Sequence, residues 1–170
     1  LATIDSLTET LNRRAFQQQL DSELNKAQRA LHPLCLAMMD IDHFKQVNDR
    51  YGHAAGDLVL ISICRAIRQQ IRADIDVLGR LGGEEFALLM PATRIEDAQI
   101  CLERCRNTIA ALEIPYSYKN EQVNIRITCS FGLACQSSVT SSRDQLLIEA
   151  DDALYQAKQT GRNKIVTGPV

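Results

Sequence analysis

The run from Leu34 to Ile41 constrains the fold of this chain more than any other segment. It follows the helix breaker Pro33, carries apolar side chains at successive rather than alternate positions, and closes on two acids, Asp40 and Asp42. Such a run reads as a buried strand, and a buried strand needs other layers of structure packed over it.

The remaining sequence supplies those layers. Residues 12–30 read as an amphipathic helix, with Asn12 as N-cap and Phe16, Leu20, Leu24 and Ala27 at helical spacing. Residues 43–51 are polar and read as a short helix or loop before Gly52. A second long helix spans 57–72, with Leu58, Ile61, Cys64, Ile67 and Ile71 along one face. Residues 77–81 and 86–90 read as short strands joined by Gly82-Gly83, a strong hairpin signal, and Pro91 ends the second. A third helix runs from Thr93 or Arg94 to Leu112, and a strand from Val123 to Ala134. A fourth helix from Ser142 to Gln159 is terminated by Gly161, and Lys164 to Val166 is a candidate last strand. The expected architecture is α/β or α+β, a mixed sheet with helices packed on it, in one domain over residues 1–170.

Charge narrows the partners. A formal net charge of −2 argues against broad, sequence-blind nucleic-acid binding, which needs a basic face; a small anionic ligand needs only local cations. No apolar run approaches the ~18 residues of a membrane span, and no secretory signal pattern opens the chain. Opening on Leu1 rather than Met, it reads as a piece of a longer protein. The six cysteines form no C-x-x-C pair; Cys101 and Cys105 share a helix face but lack partners for a zinc site. All six are expected to be buried free thiols in a reducing compartment.

Two acidic clusters fall where secondary structure changes. Asp40 and Asp42 end the first strand, and Glu84 and Glu85 follow the Gly-Gly turn. Taken singly, Asp42 and Glu85 read as surface carboxylates. If Asp40 and Glu84 meet, two carboxylates at ~4 Å repel by about 4 kcal/mol at an effective dielectric near 20. A hard divalent cation is the simplest way to offset that, and Mg²⁺ keeps positions open for phosphate oxygens. Lys45, Lys158 and Arg162 supply cations nearby in sequence, although each alone is more often solvated, and a cation at a helix C-terminus is favoured by the dipole in any case. Such a set points to phosphoryl or nucleotidyl transfer.

The residues resemble the GGDEF family. Leu81-Gly82-Gly83-Glu84-Glu85-Phe86 is similar to its signature in the Gly-Gly-Glu-Glu-Phe form. Asp40-Ile41-Asp42-His43-Phe44-Lys45, Asn48-Asp49, Gly52-His53 and Gly56-Asp57 resemble its second motif in order and spacing. Ala150-Asp151, Ala153-Leu154-Tyr155, Ala157-Lys158 and Gly161-Arg162-Asn163 resemble its C-terminal motif, and Asp5-Ser6-Leu7-Thr8 with Leu11-Asn12-Arg13-Arg14 its N-terminal one. The resemblance implies a five-stranded mixed central sheet surrounded by helices, like nucleotidyl cyclase and polymerase palm domains. It implies a diguanylate cyclase that condenses two GTP into cyclic di-GMP and two pyrophosphates. Each domain would hold one GTP, so a second copy must face the first, and an upstream sensory domain is expected. It further implies a cytoplasmic setting, including as the cytoplasmic part of a membrane-anchored sensor, with no nucleic acid or membrane contact by this segment.

By motif position, the resemblance makes Asp40, the Ile41 carbonyl and Glu84 the ligands of Mg²⁺, or of Mn²⁺ in its place. Glu84 is also the family's proposed base for the 3′-hydroxyl; lowering of the hydroxyl pKa by the metal is the alternative. Lys45, Lys158 and Arg162 become phosphate partners, with Lys45 placed to offset charge developing at the α-phosphate. Asn48 and Asp57 become guanine readers, and His53 a substrate contact or a turn-stabilising hydrogen bonder. Two departures stand out. Many members carry Arg-x-x-Asp before the signature as an inhibitory product site; here Asp76 is present, but Ala73 stands at the Arg position and Arg72 is one residue off. Glu9-Thr10 replaces the usual Gly-Leu of the N-terminal motif. The competing readings are a catalytically silent GTP or cyclic di-GMP binding module and a scaffolding domain without nucleotide.

Overall fold

A computed structural model describes residues 2–136 and 142–169. Helix α1 (Arg13–Ala30) begins where the Asn12 side chain accepts the Ala15 N–H at 2.9 Å, as the sequence predicts, and ends on Leu31 in the left-handed region. Strand β1 (Leu34–Ile41) follows, buried at all eight positions. Helices α2 (Phe44–Tyr51) and α3 (His53–Arg68) meet at Gly52, whose φ of 91° lets one residue close the first and open the second. The predicted second helix therefore starts earlier than expected, at His53, and stops earlier, at Arg68. Strands β2 (Val77–Gly82) and β3 (Glu85–Pro91) form the expected hairpin, and α4 (Ile95–Ala110) follows.

The single strand expected over 123–134 is two. Strand β5 (Glu121–Ile125) pairs with β4 (Ile114–Tyr118) in a separate two-stranded sheet, and β6 (Cys129–Gln136) joins the main one. Lys119 and Asn120, both at positive φ, turn the β4–β5 hairpin. Helix α5 (Arg143–Gln159) starts on Ser142, whose hydroxyl accepts the Gln145 N–H, and β7 (Ile165–Thr167) is the predicted last strand.

The main sheet has five strands in the order β2-β3-β1-β6-β7. It is mixed: β1 is antiparallel to β3 and β6, while β6 and β7 run parallel. Period-two alternation sends Cys35, Ala37, Met39 and Ile41 into a core with α3 and α4. Leu34, Leu36 and Met38 enter a second core with α1 and α5. Covering β1 on both faces is what its unbroken apolar run demanded.

One sequence expectation fails in the core. The antiparallel register sets Cys35 directly opposite Cys135, with Cα atoms 4.1 Å apart, and the two form a disulfide. They lie 100 residues apart in sequence, so only strand pairing reveals the contact. Cys64, Cys101, Cys105 and Cys129 are free and buried, as expected.

Candidate functional site

The site lies where β1 ends beside the β2–β3 hairpin. Gly82 (φ 153°) and Gly83 (φ 50°) make the turn with conformations that a side chain would oppose. Arg80 Nε donates to the Gly83 carbonyl at 2.9 Å, and Arg13 Nε of α1 donates to the Leu81 carbonyl at 2.9 Å. The hairpin is thus held at its tip and its stem. On the sheet, Asp40 is the register partner of Glu85, with Glu84 at the turn beside it.

Asp40 is buried, and burial pushes its carboxyl above the usual range. Lys158 of α5 pairs with it and pulls the other way, while the charges of Glu84 and Glu85 push it further up. The structure therefore brings Asp40, Glu84, Glu85 and Lys158 into one electrostatic group, with Ile41 buried at the end of the same strand. Glu85 is half-buried rather than fully exposed. Asp42 corrects the surface reading outright: it is buried and accepts hydrogen bonds from Thr128, Ser130 and the Asn163 backbone.

The base-reader candidates Asn48 and Asp57 lie on α2 and α3, on either side of the corner at Gly52. The bare Cα of Gly56 lies so close to Asn48 that a Cβ there would come within 2.0 Å of Asn48 Oδ1. Asp57 is the next residue and is exposed, and His53 is exposed one turn earlier on α3. Lys45 is exposed in the first turn of α2, and Arg162 is exposed on the loop after α5. Among the described residues, neither these two cations nor His53 makes a hydrogen bond or ion pair with the acidic group.

Two of the cavities among the described residues are notable for their polar lining. One of about 540 Å³ sits between α2 and β5, lined by Arg50, Tyr51, Asn124 and Arg126, and touches none of Lys45, Asn48, Asp57, Lys158 or Arg162. Another of about 290 Å³ is lined by Arg72, Asp76, Cys101 and Arg104. There Arg72 bonds the Asp76 carboxylate, the Pro91 carbonyl and the Thr93 hydroxyl. Within the acidic group Asp40 is buried, while Glu84 and Glu85 are half-buried.

Among the described residues, no three His, Cys, Asp or Glu side chains converge as an all-protein metal cage. The donor set suits Mg²⁺ all the same, because that ion takes one or two carboxylates and fills its other positions with water and phosphate oxygens. That Asp40 already attracts an ammonium, from Lys158, marks it as a carboxylate that favours a cation partner.

A mixed five-stranded sheet with acids at its central strand end and adjoining hairpin defines a palm-like nucleotidyl cyclase fold. Comparison with known proteins agrees. The family model described as "Diguanylate cyclase, GGDEF domain" matches residues 2–164, and the chain belongs to the GGDEF family. It is 41% identical over 164 residues to diguanylate cyclase DgcP of Pseudomonas aeruginosa, covering 96% of this chain and 24% of DgcP. It is 37% identical over 166 residues to response regulator PleD of Caulobacter vibrioides, covering 98% of this chain and 36% of PleD. The chain thus spans a minor part of these relatives' length. The crystal structure of the GGDEF domain of DgcB from Caulobacter crescentus, in complex with c-di-GMP, superposes with a TM-score of 0.91 at 34% identity. That match covers 98% of this chain and 96% of the DgcB domain.

Proposed function

We propose that this chain is a diguanylate cyclase domain that joins two GTP molecules into cyclic di-GMP with loss of two pyrophosphates, each GTP held by one of two facing domains. The observation that carries the proposal is the buried Asp40 carboxylate in the field of Glu84 and Glu85, with Lys158 beside it. Asp40, Glu84 and the Ile41 carbonyl are hard oxygen donors at one sheet end, where they would hold Mg²⁺ or Mn²⁺. Such an ion supplies Lewis-acid polarisation of the α-phosphate and a lowered pKa for the attacking 3′-hydroxyl. Lys45, Lys158 and Arg162 hold phosphate oxygens, and Lys45 offsets the charge that develops at the α-phosphate. Asn48 and Asp57 read guanine: a carboxylate at Asp57 accepts from N1–H and the 2-amino group, which adenine cannot offer. His53 flanks that reader. Ala73 supplies no guanidinium at the expected position, and the Arg72 that lines the cavity is already bonded to Asp76, Pro91 and Thr93, so product inhibition there is expected to be weak or absent.

Incubation of the domain with GTP and Mg²⁺, followed by mass analysis, tests the proposal. The expected product is cyclic di-GMP, with Glu84→Ala folded but inactive. Synthesis surviving in Glu84→Ala would contradict the metal assignment. GTP binding without product at any domain concentration would favour the silent binding module.

A further inference from the structure

Asp42 is a buried acid that the chemistry above does not use. It lies one residue beyond β1 and is 6% exposed. Its Oδ1 accepts the Ser130 hydroxyl at 2.6 Å; its Oδ2 accepts the Thr128 hydroxyl at 2.7 Å and the Asn163 backbone N–H at 3.0 Å. Its own N–H donates to the Thr128 carbonyl at 2.9 Å. Hydrogen bonds to an ionised acceptor are among the stronger ones, so this carboxylate clamps three segments: the end of β1, the start of β6 and the loop after α5.

The loop needs such a clamp. Gly161, Arg162 and Asn163 take φ of 116°, 62° and 49° in succession, and two of them carry side chains that disfavour that region. Strained backbone persists only when its surroundings over-determine it. Here Asn163 is gripped on both sides, by Asp42 at its N–H and by Arg106 of α4 at its Oδ1, 3.0 Å away. The Arg162 N–H returns to the Ala157 carbonyl at 2.9 Å, and the Lys164 carbonyl accepts the Phe131 N–H at 2.9 Å. The Arg162 side chain itself is exposed, so the backbone beneath it sets the point from which the guanidinium reaches.

We infer that Asp42 is a positioning residue: it locks the Gly161–Lys164 loop so that Arg162 meets the triphosphate. This rests on the reading of Arg162 as a phosphate partner. Small displacements of a positioned group cost large factors in binding and rate, and the effect of Asp42 should pass through Arg162 alone.

A double-mutant cycle in the whole chain tests this. Equilibrium binding of GTP with Mg²⁺, and of guanosine, is measured for Asp42→Asn, Arg162→Ala and the double variant. Asp42→Asn keeps the volume but turns an amide donor toward converging donors. It is expected to weaken GTP binding about tenfold and guanosine binding less than about twofold, with little further loss in the Arg162→Ala background. Equal loss in both backgrounds, or equal loss for guanosine, overturns the inference while leaving the role of Arg162 intact. If Arg162→Ala alone leaves GTP binding unchanged, the phosphate role falls and the inference with it, whereas the cyclase proposal still stands or falls on product analysis. Should Asp42→Asn fail to fold, Thr128→Val, which removes one of the three donors to Asp42, takes its place under the same criteria; Ser130 is unsuited because its Oγ also accepts the Asn163 N–H at 3.2 Å.

Discussion

At Glu9 the backbone adopts φ 60°, where the family's N-terminal motif usually has glycine. Departure from the motif thus left the turn in place and a side chain in the left-handed region. Glu9→Gly should stabilise the fold by about 1 kcal/mol, raising the thermal midpoint by roughly 2–4 °C for a domain of this size; an unchanged or lowered midpoint would refute this. Asp40 stores a cost of another kind. Because burial raises its pKa above the ordinary 3.8, the folded chain binds the proton more tightly than the unfolded chain does. The cost of ionisation is full above the folded pKa and vanishes below the unfolded one. Without divalent cations, Asp40→Asn should therefore outlast the wild type in urea at neutral pH, and the gap should close as the pH falls toward ~4. A gap that widens on acidification would reverse the assignment. The meeting of Asp40 and Glu84 could be read from sequence because each stands where secondary structure changes. Asp42 could not, because the hydroxyls that satisfy it belong to Thr128 and Ser130, far along the chain.

Among the elements, α1 shows the clearest agreement between local sequence and structure. Asn12 caps it, and its side-chain amide also donates to the Ala2 carbonyl at 3.0 Å, joining the N-terminal arm to the helix start. Asn12→Ala should cost about 1 kcal/mol, read as a lower urea midpoint with unchanged slope; a loss within error would mean the cap is dispensable. The elements legible in the sequence were those with strong punctuation: Pro33 before β1, Gly82-Gly83 between β2 and β3, Gly161 after α5. The β4–β5 hairpin went unread because Pro115 and the polar positions of Tyr-Ser-Tyr blur β4, and because residues 123–134 alternate evenly across a break that only the two sheets reveal. The Cys35–Cys135 bond went unread for a related reason: register is a property of two strands together.

For the whole molecule, the proposed facing of two domains bears on kinetics. If each domain holds one GTP and must face another, turnover per domain should rise with domain concentration when dilute, and adding inactive Glu84→Ala should depress it by forming mixed pairs. Constant specific activity over a wide dilution range, together with no depression by Glu84→Ala, would rule out facing domains. The overall fold was largely foreseeable, since a strand buried on both faces leaves few alternatives to a layered sheet. The layering also fixes the order in which the domain comes apart. Strand β7 is three residues on one rim and β2 lies on the other, whereas β1 has neighbours to left and right and helices above and below. Fraying proceeds from the rims inward. On warming, the segment bearing Arg162 is therefore expected to loosen while β1 is still held, so that, on the reading of Arg162 as a phosphate partner, GTP binding should fail at a lower temperature than the global melt.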